Sequence, residues 1–290
     1  DLNHAVWINA GIAILMTIWW VTEAVPIYVT GLIPIVLFPF FNIFDIQDIS
    51  SSYAHPLVLL FLGGFIIASA MESCGLHKRI AINILSFSGT SPAMIIAGFM
   101  ITTALISMWV SNTASTIMML PIATSVIAIF SSQKQSKEND LTIPLLLAIA
   151  YSASIGGIAT LIGTPTNVML ASILSDNYNY NIGFFDWFKI GFPITLILLP
   201  VVWFFLTNII FKLSRNKSNA LQVTISDLKK DIGKSSFAEK IVAIVFLLTA
   251  LLWILRRFIN NNFDLNINDT SIGLFGALLL FIIPIKKNKR

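Results

Sequence analysis

Trp109-Val-Ser-Asn-Thr-Ala-Ser-Thr116 gathers five hydroxyl and amide side chains, Ser111, Asn112, Thr113, Ser115 and Thr116, inside an apolar run. Pro92–Val110 precedes them and Ile117–Phe130 follows, with no charged residue between to mark a return to water. Hydrocarbon supplies no hydrogen-bond partner, so each polar group exposed to lipid there costs on the order of several kcal/mol. These side chains must therefore face protein, water or a bound solute. A membrane hairpin with a polar tip satisfies that demand and predicts a solute site at mid-membrane depth.

Composition sets the class. Hydrophobic residues make up 56% of the 290 residues, and charged residues only 11%, against about 25% in soluble domains. Mean hydropathy is +0.84. The chain reads as an all-α polytopic membrane protein. Its net charge of +4 does not indicate nucleic acid, because the basic residues sit in loops rather than on an aromatic-bearing amphipathic face. Cys74 is the only cysteine, which excludes a disulfide framework, and it reads as a small buried residue.

Apolar segments are expected at Ala5–Val21, Pro26–Phe41 and His55–Cys74, with a polar loop over Phe44–His55. Gly63-Gly64 should permit close helix packing. His77–Phe87 reads as an interfacial amphipathic segment, followed by the hairpin Pro92–Phe130 and a polar loop, Ser131–Asp140. Leu141–Leu161 is a span interrupted by Gly163-Thr-Pro-Thr-Asn167 before Val168–Leu174 resumes. Gly and Pro at that spacing break a helix and free backbone carbonyls, which is tolerable only around a cavity. Trp187–Phe211, Ala238–Leu255 and Ser271–Ile285 are the remaining spans, and Lys212–Lys240 is the longest hydrophilic stretch.

Charge orients the chain. If His77–Phe87 is cytoplasmic, so are Ser131–Asp140, Lys212–Lys240 and the C-terminal tail. All but three of the 18 Lys and Arg residues then lie on that side, as the positive-inside rule requires. The exceptions are Lys189, Arg256 and Arg257. Both ends of the hairpin are cytoplasmic in this arrangement, so it is expected to be re-entrant. Residue 1, an Asp, falls outside, and both ends of the chain read as cut from a longer product.

Four motifs now carry a resemblance: Trp19-Trp-Val-Thr-Glu-Ala-Val-Pro26, Phe61-Leu-Gly-Gly-Phe65, Met108-Trp-Val-Ser-Asn-Thr-Ala114 and Ser154-Ile-Gly-Gly-Ile-Ala-Thr-Leu-Ile-Gly-Thr-Pro-Thr-Asn167. In this order over some 150 residues they resemble the divalent anion:sodium symporters, the sodium-coupled dicarboxylate, citrate and sulfate carriers. The resemblance implies an inverted-repeat elevator in a cell membrane, working as a homodimer. Residues 1–91 would be scaffold helices and the interfacial segment. Residues 92–211 would be transport-domain elements: hairpin 92–130, broken helix 141–175 and span 187–211. Residues 212–237 would be a cytoplasmic linker, and 238–290 the first helices of the second repeat. Leu248-Thr-Ala-Leu-Leu-Trp253 faintly echoes Leu15-Met-Thr-Ile-Trp-Trp20, but no second Ser-Asn-Thr occurs. Thr166 departs from the family pattern, which has a second Pro there.

By this resemblance Ser107, Ser111, Asn112 and the backbone at Gly163 match the family's first sodium site. Freed carbonyls together with hydroxyl and amide oxygens are suitable donors for that ion. The helices beginning near Asn112 and Thr164 would turn their unpaired N–H groups and positive dipole ends to an anion. Asn112, Thr113 and Thr164 are thus the expected carboxylate contacts, with Pro165 shaping the turn. Neither motif contains Lys or Arg, so bound sodium and the helix dipoles would offset the substrate's charge. That gives coupling a physical reason. The expected substrate is a C4 dicarboxylate such as succinate, with citrate and sulfate as competitors.

Plainer roles fall to other polar residues. Thr102, Thr103, Ser115 and Thr116 read as interhelical hydrogen-bonding residues. Glu23 reads as a helix-end residue, Glu72 as snorkelling or paired at the interface rather than part of a proton relay, and His4, His55 and His77 as interfacial residues without metal-ligand spacing. A channel or ion exchanger would place an ionisable residue near the hairpin. A membrane enzyme would need a base beside Ser111 or Thr113. The sequence shows neither.

Overall fold

The computed structural model describes residues 2–89, 91–132, 141–213, 229–230 and 232–284, and every regular element among them is a helix. Residues 133–140 of the loop expected over Ser131–Asp140, the part of the hydrophilic stretch at 214–228 and the tail from 285 lie outside the described residues. The chain divides into two compact units, residues 1–59 and 60–290.

The first unit holds α1 (Leu2–Thr22), α2 (Ile27–Thr30), α3 (Ile33–Phe40) and α4 (Ile46–Tyr53). The single span expected over Pro26–Phe41 is two helices. Pro34 has no N–H to offer the carbonyl of Thr30 and its ring crowds that turn, so it sits instead in the first turn of α3. The loop expected over Phe44–His55 contains a helix. Ile46, Ile49 and Tyr53 share one face at i, i+3 and i+7, Ile49 is buried, and the Tyr53 hydroxyl donates to Gly31 O at 2.5 Å.

The second unit contains nearly all of α5 (Pro56–Cys74), then α6 (Leu76–Phe87), α7 (Pro92–Ser107), α8 (Asn112–Ser132), α9 (Thr142–Ile158), α10 (Pro165–Tyr178), α11 (Phe184–Phe204), α12 (Phe237–Phe263) and α13 (Asp269–Ile282). Helix α11 starts three residues before the expected Trp187 and passes into a π-helical turn, Phe205–Ile210. Helix α12 runs 27 residues, eight past the expected Leu255. It starts at a Ser236/Glu239 capping box and continues through Arg256 and Arg257, each of which pairs with a carboxylate. As the glycine pair led us to expect, Gly63 lies against Gly273 of α13, where a Cβ would fall 2.6 Å from its carbonyl carbon.

Helix α7 is at the centre. Twelve of its 16 residues are buried, so protein rather than lipid surrounds it. Ile95, Ile96, Phe99 and Met100 join Leu145, Ala148 and Ile149 of α9 in one apolar cluster. Sixteen residues rise about 24 Å, less than the ~30 Å hydrocarbon layer. The interrupted helix α9, with 17 residues, is similarly short.

The three cations outside the expected cytoplasmic segments all have partners. Arg256 Nη1 lies 3.1 Å from Asp269 Oδ2 and Arg257 Nη2 2.6 Å from Asp186 Oδ2. Lys189 Nζ lies over the Phe185 ring, 4.6 Å from its centroid. Asp269 Oδ2 also accepts from Phe184 N at 2.8 Å, capping α11 from α13. On α6, Arg79 pairs with Glu239 at 2.8 Å and donates to Gly233 O at 2.8 Å, joining the interfacial helix to the start of α12. His77, expected at an interface, is buried. Burial holds its pKa below the usual imidazole value, opposed by the bond to the Met71 carbonyl.

Candidate functional site

The site grows from two interruptions in α-helix. Helix α7 ends at Ser107 and α8 begins at Asn112, leaving four residues to reverse the chain. Helix α9 ends at Ile158 and α10 begins at Pro165. Pro165 at the first position of α10 needs no donor partner, which makes it a natural restart after the break.

The two interruptions meet at Gly157. A Cβ there would be 3.2 Å from both Cγ and Nδ2 of Asn112, so only glycine leaves room for that side chain. A Cβ on Gly163 would lie 3.0 Å from Gly157 Cα. Gly156 is pressed in the same way onto the backbone of Ala104 in α7. Helices α8 and α10 thus both start beside one point.

At that point three oxygens converge. Ser107 Oγ lies 2.7 Å from Asn112 Oδ1 and 2.7 Å from Ala153 O. A serine hydroxyl carries one proton, so it can donate to only one of these neighbours. Three oxygens sharing one proton are electron-rich, and a hard cation fits such a cluster. Among the described residues no group of three His, Cys, Asp or Glu side chains could hold a metal ion.

The carbonyls of the break are mostly spoken for. Gly157 O accepts from Asn167 Nδ2 at 2.8 Å, and Thr160 O accepts from the same nitrogen at 2.8 Å. Ile158 O accepts from Trp187 Nε1 at 2.9 Å and Ile155 O from the Thr195 hydroxyl at 3.0 Å. Gly163 itself donates its N–H to Thr160 O at 3.2 Å.

Of the sequence-predicted residues, Ser107, Asn112 and Gly163 come together around Gly157. Ser111 is the residue before α8, and its hydroxyl accepts from Ala114 N at 3.3 Å, an N-cap role. Thr113 and Pro165 are exposed and Thr164 is half-buried. Thr164, the N-cap of α10, makes no side-chain cap bond and has its hydroxyl 3.4 Å from that of Thr166. Thr116, read as interhelical, bonds instead within α8, to Asn112 O at 2.8 Å. Thr103 likewise bonds within its own helix, to Phe99 O at 2.7 Å. Thr102 and Ser115 have buried hydroxyls with no partner. Sequence reasoning did not single out Thr160, Asn167 or the Ala153 carbonyl. Asn167 was legible only as the last letter of a motif, and a main-chain oxygen has no sequence signal.

Trp109 at the hairpin tip faces an aromatic group. Its ring lies nearly parallel to Trp253, at 7° and 6.4 Å, is stacked on Phe184 at 5.9 Å and meets Phe246 edge-on at 4.6 Å. An apolar cavity of about 10 Å³ beside it is lined by Gly64, Met71, Phe246 and Thr249 among others. That volume admits about one water.

The sequence profile of the citrate transporter family (CitMHS) matches residues 17–290. The chain is 37% identical over 286 residues to the sodium-dependent dicarboxylate transporter SdcS of Staphylococcus aureus strain USA300, covering 96% of this chain and 55% of that protein. The protein of the same name from the bovine strain RF122 is 36% identical over the same shares. The chain spans about half the length of these curated relatives.

Proposed function

This chain belongs to the citrate transporter family, as the resemblance to the divalent anion:sodium symporters led us to expect, and on that premise we propose that it forms part of a sodium-coupled carrier of a divalent anion. A multi-pass membrane protein whose relatives are transporters has no need of a catalytic group. The observation that carries the proposal is the oxygen cluster of Ser107, Asn112 and Ala153, seated where two helices begin. Ser107, Asn112, the Gly163 carbonyl and, once its cap bond yields, Ser111 would hold sodium. Asn112, Thr113 and Thr164 would face the carboxylate, with Pro165 setting the turn. The names of the Staphylococcus aureus relatives support sodium and a dicarboxylate, and succinate is the expected C4 example. The family's own name favours citrate as a second reading, which competition of citrate against labelled succinate uptake would decide.

In this reading the hairpin α7–α8 is re-entrant, opening to the cytoplasmic side of the plasma membrane. Helices α7 to α11 move as the transport body against a scaffold frame held by a homodimer. The short, protein-enclosed α7 supports the first of these points. In the full-length carrier, Asn112→Ala should weaken both sodium and substrate binding, because the side chain lies between them. Labelled succinate uptake measured against sodium concentration tests this, and an unchanged sodium dependence with unchanged uptake would remove Asn112 from the site. Topology has its own test. Cysteines at Ser132 and Asn179, in a Cys74→Ser background, should react with an impermeant maleimide from opposite faces. Reaction of both from one face would overturn the re-entrant arrangement.

A further inference from the structure

Resting on the cation site proposed above, we infer that Thr160 and Asn167 are its positioning residues, a two-step hydrogen-bonded strut that sets the helix break against the hairpin tip. The Asn167 side chain is buried and its amide nitrogen bonds two carbonyls, Gly157 O in the last turn of α9 and Thr160 O within the break, each at 2.8 Å. An amide nitrogen carries two protons, so both are committed. Gly157 is the residue against which Asn112 rests, and one end of the strut therefore supports a proposed ligand. The other end reaches the hairpin directly: the buried Thr160 hydroxyl donates to Met108 O, in the turn between α7 and α8. Gly163 N closes the loop by donating to Thr160 O at 3.2 Å. Gly157 O and Thr160 O are thereby occupied, and the backbone between them is fixed. Neither side chain touches the three-oxygen cluster, so each acts through the backbone it holds.

This role separates from bulk packing through the hydroxyl. In the full-length carrier, Thr160→Val keeps the shape and removes the donor, whereas Thr160→Ser keeps the donor. Thr160→Val and Asn167→Leu should raise the sodium concentration for half-maximal succinate uptake at least ~10-fold, with a smaller fall in maximal rate, and Thr160→Ser should recover the parent's sodium dependence. Hydrogen exchange in sodium-free detergent gives a readout independent of transport. Peptides covering 157–167 should exchange faster in Thr160→Val and Asn167→Leu, while those covering α7 stay protected. Unchanged exchange at 157–167, or Thr160→Ser as impaired as Thr160→Val, would overturn the strut. Absence of sodium dependence in the parent would overturn the proposed function instead, and the exchange result would still judge the strut.

Discussion

Asp269→Ala is expected to lower the stability of the second unit by about 3–5 kcal/mol, the cost of breaking a largely buried ion pair by removing one partner. Oδ2 of that carboxylate caps Phe184 N at 2.8 Å and faces Arg256 Nη1 at 3.1 Å. Its removal leaves a guanidinium only 23% exposed and the Phe184 N–H without its acceptor. Asp269 Oδ1 is buried without a hydrogen-bond partner, so all the stabilising contacts of the side chain fall on one oxygen. Asp269→Asn, which keeps an acceptor for Phe184 N and loses the charge, should cost less than Asp269→Ala. The double variant Arg256→Met, Asp269→Leu should also be milder than Asp269→Ala, because no unpaired charge remains. Thermal unfolding in detergent followed by tryptophan emission checks the series, since Trp253 Nε1 bonds Asp269 O at 2.9 Å. A double variant less stable than Asp269→Ala would show that the pair acts through shape rather than charge.

Gly157→Ala is expected to reduce sodium-dependent uptake about 10- to 100-fold. A methyl group there would overlap the Asn112 carboxamide, and forcing extra volume into a packed site costs about 1–3 kcal/mol, with each ~1.4 kcal/mol a factor of ten in rate. Asn112 is the side chain that must yield, and its displacement opens the oxygen cluster at Ser107. Surface expression of the variant should remain near the parent's, because the overlap involves one side chain and no backbone atom of a neighbouring helix. Gly156→Ala is the contrast: its methyl would meet the backbone of Ala104, so folding as well as transport should fail. Uptake and surface biotinylation measured together distinguish the two. Parent-like uptake by Gly157→Ala would mean that Asn112 does not hold the place given to it here.

Much of this was legible along the chain. Hydrocarbon punishes unpaired polar groups so severely that the Ser111–Thr116 cluster and the Gly163–Asn167 interruption had to mark protected sites, whatever surrounded them. Apolar run lengths located the spans, and the placement of Lys and Arg predicted an orientation. The motifs pointed to the family and to Ser107, Asn112 and Gly163. Other features depend on contacts between distant residues. Phe44–His55 reads as polar loop because only Ile49 needs burial there, and a partner for Tyr53 22 residues away completes the helix. Helix α12 continues past the span expected to end at Leu255, and only folding shows that Asp186 and Asp269 receive the two arginines that follow. Thr160 and Asn167 look like ordinary motif letters until the helix break turns their side chains onto carbonyls. Composition and periodicity, acting through solvation, determine which segments leave water. Which oxygens then face one another across the break is a matter of tertiary packing, because a main-chain carbonyl has the same identity in every residue and gains its role only from position.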